Sequence, residues 1–533
     1  MQSFELTVDK FLDHAAKWFG DHEVVWAEKG VPVARLGYAA LRERANRLSG
    51  ALVALDVRTG DRIGTLAWNT RDHLEVYYAV MGIGCVCHTL NPRLTPAQIA
   101  TMINEADDRI LAVATDMMPL LAQILPHCPG VRHVIELDGD GDGDGDGAVK
   151  VGSDATWSKQ GLLAAHGTPV EWGGFEENAP AGLCYTSGTT GRPKGVLYTH
   201  RSNYLHTLRA LQADVVGLTG RDVLLLAVPM FHANGWGLPF AAPAAGTKLV
   251  LPGRHLDGAS LARIIRAEGV TVAVGVQTVW LGLVDHLDRT GEDVPSLERV
   301  IIGGSNCPDA LLDRLQTRLG ARVQTSWGMT ELSPIGTMSP ASAAPGPSGS
   351  AGRPPLGLDL KLTDADGATL PIQREAQGHL KVRGPSVLER YLDADAGTLD
   401  AEGYFDTGDL ATIDAFGNLT ICGRAKDLIK SGGEWINPAE IEAIVGAHSS
   451  VRHVAVIARA DPRWGERPVL VVEGGPTVDA RTLLDLLRGK VADWWIPDVV
   501  ATVAAMPLAS TGKIDKSRLR ADYDQGLISA EKA

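Results

Sequence analysis

The sequence predicts an α/β protein with a large, multi-sheet N-terminal domain (residues 1–425) and a small α+β C-terminal domain (residues 426–533). Three observations carry this expectation. Helical and strand-like apolar patterns alternate between residues 30 and 135, apolar runs at 272–276 and 300–304 end at or beside glycine, and the pattern changes character after Arg424. At roughly 100–200 residues per domain, a chain of 533 residues holds more than one folding unit.

The elements follow in order. Phe4, Leu6, Val8, Phe11 and Leu12 suggest a short amphipathic start that packs on the body. Residues 38–55 repeat apolar side chains at helical spacing, with Arg42, Arg44 and Arg47 between them. Residues 62–67 and 110–114 have the length and composition of strands, and residues 73–81 of a helix. Such alternation builds layered α/β domains. Residues 138–147 are five Asp-Gly units; they lack the bidentate Glu of an EF-hand and the calcium β-roll pattern, so they read as a solvated loop. Residues 341–352 form a second small-residue loop. The runs 272–276 and 300–304 look like buried parallel strands feeding a ligand-binding loop. Residues 410–423 form a hairpin turning at 414–418. Beyond the boundary, 451–458, 468–472 and 499–503 are expected strands, and 482–491 an expected helix.

Composition narrows the function. Hydrophobic residues make up 45% and charged residues 21%, which excludes a disordered, collagen-like or coiled-coil chain. The net charge of −14 argues against nucleic acid and anionic lipid as partners, because both need a basic face. Residues 426–533 carry 14 Lys+Arg against 15 Asp+Glu, so the acidic surplus sits on residues 1–425. Anionic small ligands are then a matter of a few placed cations and backbone N–H groups, not of total charge. Cys85, Cys87, Cys128, Cys184, Cys307 and Cys422 are scattered without a CxxC, as in a reducing compartment. Glu5, Asp9 and Asp13 stand where a signal peptide needs an apolar stretch, and no window suits a transmembrane helix. A cytoplasmic protein is expected.

The most informative segment runs Tyr185, Thr186, Ser187, Gly188, Thr189, Thr190, Gly191, Arg192, Pro193, Lys194, Gly195. Its glycines let several N–H groups converge on a phosphate, its four hydroxyls add donors, and Lys194 adds a positive charge. It is not a Walker A loop, and no GxGxxG opens a βαβ unit, which disfavours P-loop NTPases, kinases and dehydrogenases.

This run resembles the signature of the adenylate-forming (AMP-binding) superfamily, which includes acyl-CoA synthetases, aryl-CoA ligases and luciferases. Four further stretches extend the resemblance in the superfamily's order: residues 326–331 (SWGMTE), 404–409 (YFDTGD), 423–430 (GRAKDLIK) and 507–513 (PLASTGK). Residues 230–237, 430–436 and 494–497 look most like its medium-chain acyl-CoA ligase branch, which includes 3-methylmercaptopropionate ligases.

The resemblance implies an acid–thiol ligase of AMP-forming type, with ATP, Mg²⁺ and coenzyme A as co-substrates and a carboxylic acid as partner; a homodimer is left open. Thr186, Ser187, Gly188, Thr189, Thr190 and Lys194 would cradle phosphates. Glu331, with Thr186 and Thr330 beside it, would hold the metal. Gly304, Ser305, Trp327 and Gly328 would meet the adenine, with Trp327 as a stacking surface in place of the more usual Tyr, while Asp409 and Arg424 would hold the ribose. Lys513 would stabilise charge at the α-phosphate. Lys426 would be the hinge of a rotating C-terminal domain. That rotation would replace Lys513 with Lys430 and a pantetheine channel of Ser431, Gly432, Gly433, Glu434 and Trp435. His232 would stand between the acyl carboxylate and the thiol entrance; peptide-synthetase relatives usually carry Asp there, so amino-acid substrates are disfavoured. Trp236, Gly275, Val276, Gly303 and Met329 would wall an uncharged acyl pocket, closed at moderate depth by Trp236 and Trp280. That favours short or medium chains, thioether acids or aryl acids. A luciferase-like oxygenase and a non-catalytic binding protein are the alternatives; intact channel residues, Lys513 and Glu331 speak for ligation.

Overall fold

The computed structural model describes residues 2–137, 149–151, 154–186, 193–304, 307, 309–340, 349–392, 394, 397–448, 450–473, 479–508, 514–528 and 530–532. Ser187, Gly188, Thr189, Thr190, Ser305, Lys513 and the Asp-Gly run therefore lie outside the described residues.

Two eight-stranded sheets of the same design form the large body. The first runs, edge to edge, Ile335–Met338, Arg322–Gly328, Arg299–Gly303, Val272–Val276, Val223–Leu226, Lys248–Leu251, Glu23–Glu28 and Val31–Gly37. The second runs Gly195–Thr199, Pro180–Tyr185, Val86–Thr89, Arg62–Leu66, Ile110–Val113, His133–Glu136, Asp154–Ser158 and Val149–Val151. In each, the inner strands pair in parallel and the two edge strands pair antiparallel. Inner strands such as Val86–Thr89 and Ile110–Val113 are buried at every residue, which is why they read as continuous apolar runs.

The main core joins the two sheets. Ile63, Leu66 and Val113 of the second sheet share it with Leu224, Val272, Val274 and Ile301 of the first, and the helices Arg71–Gly82 and Leu238–Ala245 fill the space between. The opposite face of the first sheet, carrying Ala273, Val300 and Ile302, is covered by the helices Gly258–Glu268, Gln277–Thr290 and Asp309–Leu319. A four-stranded antiparallel sheet follows (Asp359–Thr363, Ala376–Arg383, Phe405–Ile413, Leu419–Arg424). The last sheet holds Glu434–Ile436, Ile429–Ser431, Gly465–Glu473, Val499–Val503 and Ala530–Lys532, with His453–Asp461 paired to Gly465–Glu473.

Most elements stand where the sequence puts them, with two corrections. The expected helix at 482–491 is Ala480–Asp485; the chain then turns, and Gly489 adopts a left-handed φ of 72° that a continuing helix cannot hold. At the N-terminus, Val8, Phe11 and Leu12 are buried by the helix Asp9–Trp18, but Phe4 stays 60% exposed.

Candidate active site

Parallel strands of an open α/β sheet present ligands at their carboxyl ends. Those ends gather most of the described candidate residues.

Thr186 follows the strand Pro180–Tyr185, and Lys194 precedes its antiparallel partner Gly195–Thr199. The two residues close the base of the glycine-rich loop. The Thr186 N–H donates to the Lys194 carbonyl at 2.9 Å, and the Lys194 N–H donates to Thr186 Oγ1 at 3.2 Å. The Lys194 ammonium lies 4.8 Å from the centre of the Tyr391 ring.

Glu331 sits on the short 3₁₀ turn Thr330–Leu332, after the strand Arg322–Gly328. It is 7% exposed, and its Oε1 accepts a 2.8 Å hydrogen bond from the Tyr391 hydroxyl. Burial, and next the Glu331 charge, push the Tyr391 phenol above its ordinary range, so it remains a donor. The turn is held from every side. Tyr198 donates to the Thr330 carbonyl (2.8 Å), Leu388 N–H to the Glu331 carbonyl (2.7 Å), and Ser386 Oγ to the Leu332 carbonyl (3.2 Å). Arg209, a buried arginine on the helix His200–Ala210, donates to Ser386 Oγ at 2.7 Å and to the Leu332 carbonyl at 3.5 Å. His206 on the same helix accepts from Ile335 N–H at 3.2 Å. Complete burial, then the charge of Arg209, holds its imidazole well below the usual histidine range, so it is a neutral acceptor.

The other end of the same stretch meets Asp409. Trp327 Nε1 donates to Asp409 Oδ2 at 3.0 Å, and Arg424 Nε lies 2.9 Å from Oδ1. Asp409 and Arg424 are register partners on neighbouring strands, and Arg424 also donates to the Thr407 carbonyl at 2.8 Å. The Trp327 ring is buried against Gly336, where an added Cβ would lie 2.4 Å from the ring. The indole edge of Trp327, expected as a stacking surface, is bonded to Asp409. Gly328 packs against the Pro334 carbonyl, and Met329 is partly buried beside Trp327 and Leu332.

His232 precedes an unusual turn that contains Trp236. Ala233, Asn234, Gly235, Trp236 and Gly237 all have positive φ, from 44° to 73°, making one left-handed turn in which three residues carry a side chain. Its surroundings fix it: Asn69 bonds the Leu226 and Val228 carbonyls and Met230 N–H, Tyr77 donates to the Met230 carbonyl, Thr89 to the Phe231 carbonyl, and Cys184 Sγ to Asn234 Oδ1.

The expected acyl wall is split. Alternation along Val272–Val276 places Val276 on the face shared with Trp236, and Gly303 meets the Trp236 ring, where an added Cβ would lie 2.7 Å from it. Gly275 faces the opposite side, against Trp280, whose ring is fully buried under the helices. Trp236, Val276 and Gly303 are together; Gly275 and Trp280 are core contacts of the other face, because residues one apart on a strand point to opposite sides. Gly304, with φ 89°, leaves the strand in a conformation that favours glycine.

In the last sheet, Lys430 and Ser431 end the strand Ile429–Ser431, and Glu434 and Trp435 open Glu434–Ile436. Gly432 and Gly433 form the two-residue turn, with φ 60° and 95°. Gly432 N–H donates to the Trp464 carbonyl at 2.8 Å, Lys430 N–H to Glu466 at 2.9 Å, and Arg467 Nη1 to Ser431 Oγ at 3.4 Å. Lys426 lies on the short turn Ala425–Asp427, and burial pulls its ammonium below the usual lysine range.

Tyr391, Arg209, His206 and Asn69 carry no sequence signal of their own; each is tied to the site by a long-range bond.

Glycine-rich loop, buried carboxylate and strand-end glycines on paired parallel sheets are the build of a nucleotide-handling α/β enzyme. Comparison with known proteins narrows the class. Residues 12–392 match the family model for AMP-binding enzyme, and residues 440–513 that for AMP-binding enzyme C-terminal domain. The chain is 41% identical to the 3-methylmercaptopropionyl-CoA ligase of Ruegeria lacuscaerulensis, over 99% of both chains. It is 41% identical to the medium-chain-fatty-acid–CoA ligase of Ectopseudomonas oleovorans, over 99% of this chain and 98% of that one. The crystal structure of ATP-bound MatB from Rhodopseudomonas palustris superposes with a TM-score of 0.85 at 26% identity, covering 97% of this chain and 99% of that one. The chain belongs to the AMP-binding enzyme family.

Proposed function

We propose that the protein is an ATP-dependent carboxylic acid–CoA ligase that works through an acyl-adenylate. One observation carries the reading. The stretch from Trp327 to Glu331 bonds Asp409 at one end and, at the other, Tyr391, on whose ring Lys194 sits. This arrangement supports reading Asp409 as ribose acceptor, Glu331 as metal carboxylate and Lys194 as phosphate-loop cation around one five-residue stretch.

In the first half-reaction an acid oxygen attacks the α-phosphorus of ATP, the bond to the β-phosphate breaks, and pyrophosphate leaves. Two anions must approach, so charge must be neutralised. The oxygens of Glu331 and Thr186 suit Mg²⁺, a hard cation that prefers carboxylate and hydroxyl ligands, and Mg²⁺ would supply that neutralisation. Glu331 fits because Tyr391 holds only one of its two carboxylate oxygens by the bond at 2.8 Å. Asp409 orients the ribose with Trp327 and Arg424 fixing its carboxylate. Lys513 supports the developing charge. In the second half-reaction the coenzyme A sulfur attacks the acyl carbon, the bond to AMP breaks, and the thioester forms. Residues 426–533 then act as a mobile domain pivoting at Lys426, exchanging Lys513 for Lys430 and the hairpin of Ser431, Gly432, Gly433, Glu434 and Trp435. Support for the pivot is local: Lys426 stands on a single short turn between two strands of different sheets.

Trp236, Val276 and Gly303 form an apolar wall, which suits a short- or medium-chain, thioether or aryl acid. The named activities of the two 41%-identical relatives point the same way. Six unbridged thiols support a cytoplasmic setting; no helix of the described residues is long and apolar enough to cross a membrane.

The test is AMP release from Mg-ATP and CoA across C3–C14, thioether and aryl acids. CoA-dependent AMP release with at least one acid is expected; none with any acid overturns the ligase reading. Lys513→Ala should suppress adenylate formation and spare thioester formation from supplied acyl-adenylate; equal loss in both refutes the exchange of lysines.

A further inference from the structure

The segment from Leu388 to Leu392 is a splint between two parts of the site that are far apart in the chain. At one end, Leu388 N–H bonds the main-chain carbonyl of Glu331 at 2.7 Å. At the other, Leu392 N–H bonds the main-chain carbonyl of Gly195, the residue after Lys194, at 2.8 Å. The Leu392 side chain packs so closely on Gly195 that a Cβ there would lie 3.0 Å from it. Tyr391 repeats the same bridge with its side chain. Its hydroxyl bonds Glu331 Oε1 at 2.8 Å, and its ring lies 4.8 Å from the Lys194 ammonium. Main chain and side chain of one short segment thus fix the same pair of opposite charges.

We propose that Tyr391 is a positioning residue for the metal carboxylate: it clamps Glu331 Oε1 so that Oε2 is left to the magnesium of Mg-ATP, and its ring seats Lys194 beside the same phosphates. The inference rests on the ligase reading, with Glu331 as metal ligand. Two features make the clamp more than packing. Glu331 is almost wholly buried, so a carboxylate free to rotate there would present its charge to the metal only part of the time. The ring also offers the ammonium a seat that leaves the carboxylate unneutralised, since a cation over an aromatic face is held by the ring quadrupole. A direct Lys194–Glu331 ion pair would instead compete with the metal for the carboxylate.

The experiment separates hydroxyl from ring. Tyr391→Phe keeps the ring and loses the clamp; Tyr391→Leu loses both. Mn²⁺ binding in the presence of a non-hydrolysable ATP analogue is read by electron paramagnetic resonance. Metal-free binding of the same analogue is read by calorimetry, and folding by thermal unfolding. Tyr391→Phe should weaken Mn²⁺ about 10-fold, the usual cost of removing a group that orients a metal ligand, and leave metal-free nucleotide binding unchanged. Tyr391→Leu should in addition weaken metal-free nucleotide binding about 3-fold through the lost seat of Lys194. Unchanged Mn²⁺ affinity in Tyr391→Phe overturns the proposal, as does equal weakening of Mn²⁺ and metal-free nucleotide. Should Tyr391→Leu fail to fold, the Tyr391→Phe measurements decide alone. If the unaltered protein itself binds no Mn²⁺ with the analogue, it is the ligase reading that falls.

Discussion

The Glu331 turn and the hairpin from Lys430 to Trp435 are assigned to one reaction, yet they are built on opposite plans. Around Glu331, three successive carbonyls accept bonds from four residues distant in the chain, and the carboxylate itself is buried. The hairpin turns on two left-handed glycines, is held by bonds to Trp464, Glu466 and Arg467, and leaves Trp435 52% exposed. On the proposed reading Glu331 must meet a fixed phosphate–metal group, and its turn is locked before substrate arrives. On the proposed reading the hairpin must come to the substrate, and it is stiff within itself but open at Trp435. The proposed mechanism accounts for the difference: preorganisation where charge would develop, and exposure where a flexible thiol arm would pass.

Two tests bear on the contrast directly, and a third on the body that carries the locked end. The largest effect is expected at the locked end. Glu331→Gln keeps an acceptor for Tyr391 and should leave thermal unfolding nearly unchanged, while acid-dependent ATP–pyrophosphate exchange falls about 10²–10³-fold. A full loss of folding would show instead that the charge serves the architecture.

The next effect concerns acid. His73 is fully buried, its Nδ1 2.9 Å from the Trp68 carbonyl and its Nε2 3.0 Å from Thr65 Oγ1. Burial lowers its pKa to about 4. Between that value and the usual 6.5 or so, the unfolded chain binds a proton that the folded body refuses, so stability falls as pH drops through this window. The full contribution is about 3 kcal/mol. Protection factors in the large body, taken relative to the slower intrinsic exchange at pH 5, should therefore fall from pH 7 to pH 5, and His73→Gln should reduce the difference while the buried His200 and His206 keep part of it. A profile that His73→Gln leaves unchanged refutes the assignment.

The smallest effect is expected at the open end. Gly432 has φ 60°, and a Cβ there would lie 2.7 Å from the Trp464 ring. Gly432→Ala should slow thioester formation about 10-fold, the equivalent of 1–2 kcal/mol of backbone strain, and leave the adenylate burst intact. Slowing of both steps alike would erase the division of labour between turn and hairpin.

How much of this is legible in the sequence differs from residue to residue. The loop from Thr186 to Lys194 announces itself, because glycine, hydroxyl and lysine in one run have few other uses. Asp409, Arg424 and the hairpin glycines are found through the resemblance, and the strands through their apolar runs. Tyr391 is not legible: its flanks, Glu389, Arg390 and Asp393, look like any polar loop, and its partner Glu331 lies 60 positions away. Arg209 is hidden for the same reason, since an arginine on a helix is normally a surface residue until the fold buries it. The split acyl wall has a different cause. Gly275 and Val276 are neighbours in sequence, and the sequence reading grouped them, but strand geometry sends them to opposite faces.

The left-handed turn after His232 has a consequence for the order in which the molecule can assemble. Its mirror-handed backbone is unfavourable for Ala233, Asn234 and Trp236 at about 1–2 kcal/mol each. Cys184 bonds Asn234 within the turn, and Asn69, Tyr77 and Thr89, up to about 160 positions upstream, bond Met230 and Phe231 that lead into it. Until the two large sheets have met, only short-range bonds such as that from Gly235 N–H to the His232 carbonyl at 3.0 Å hold the turn. The geometry of this turn is therefore expected to be completed only when the two sheets join.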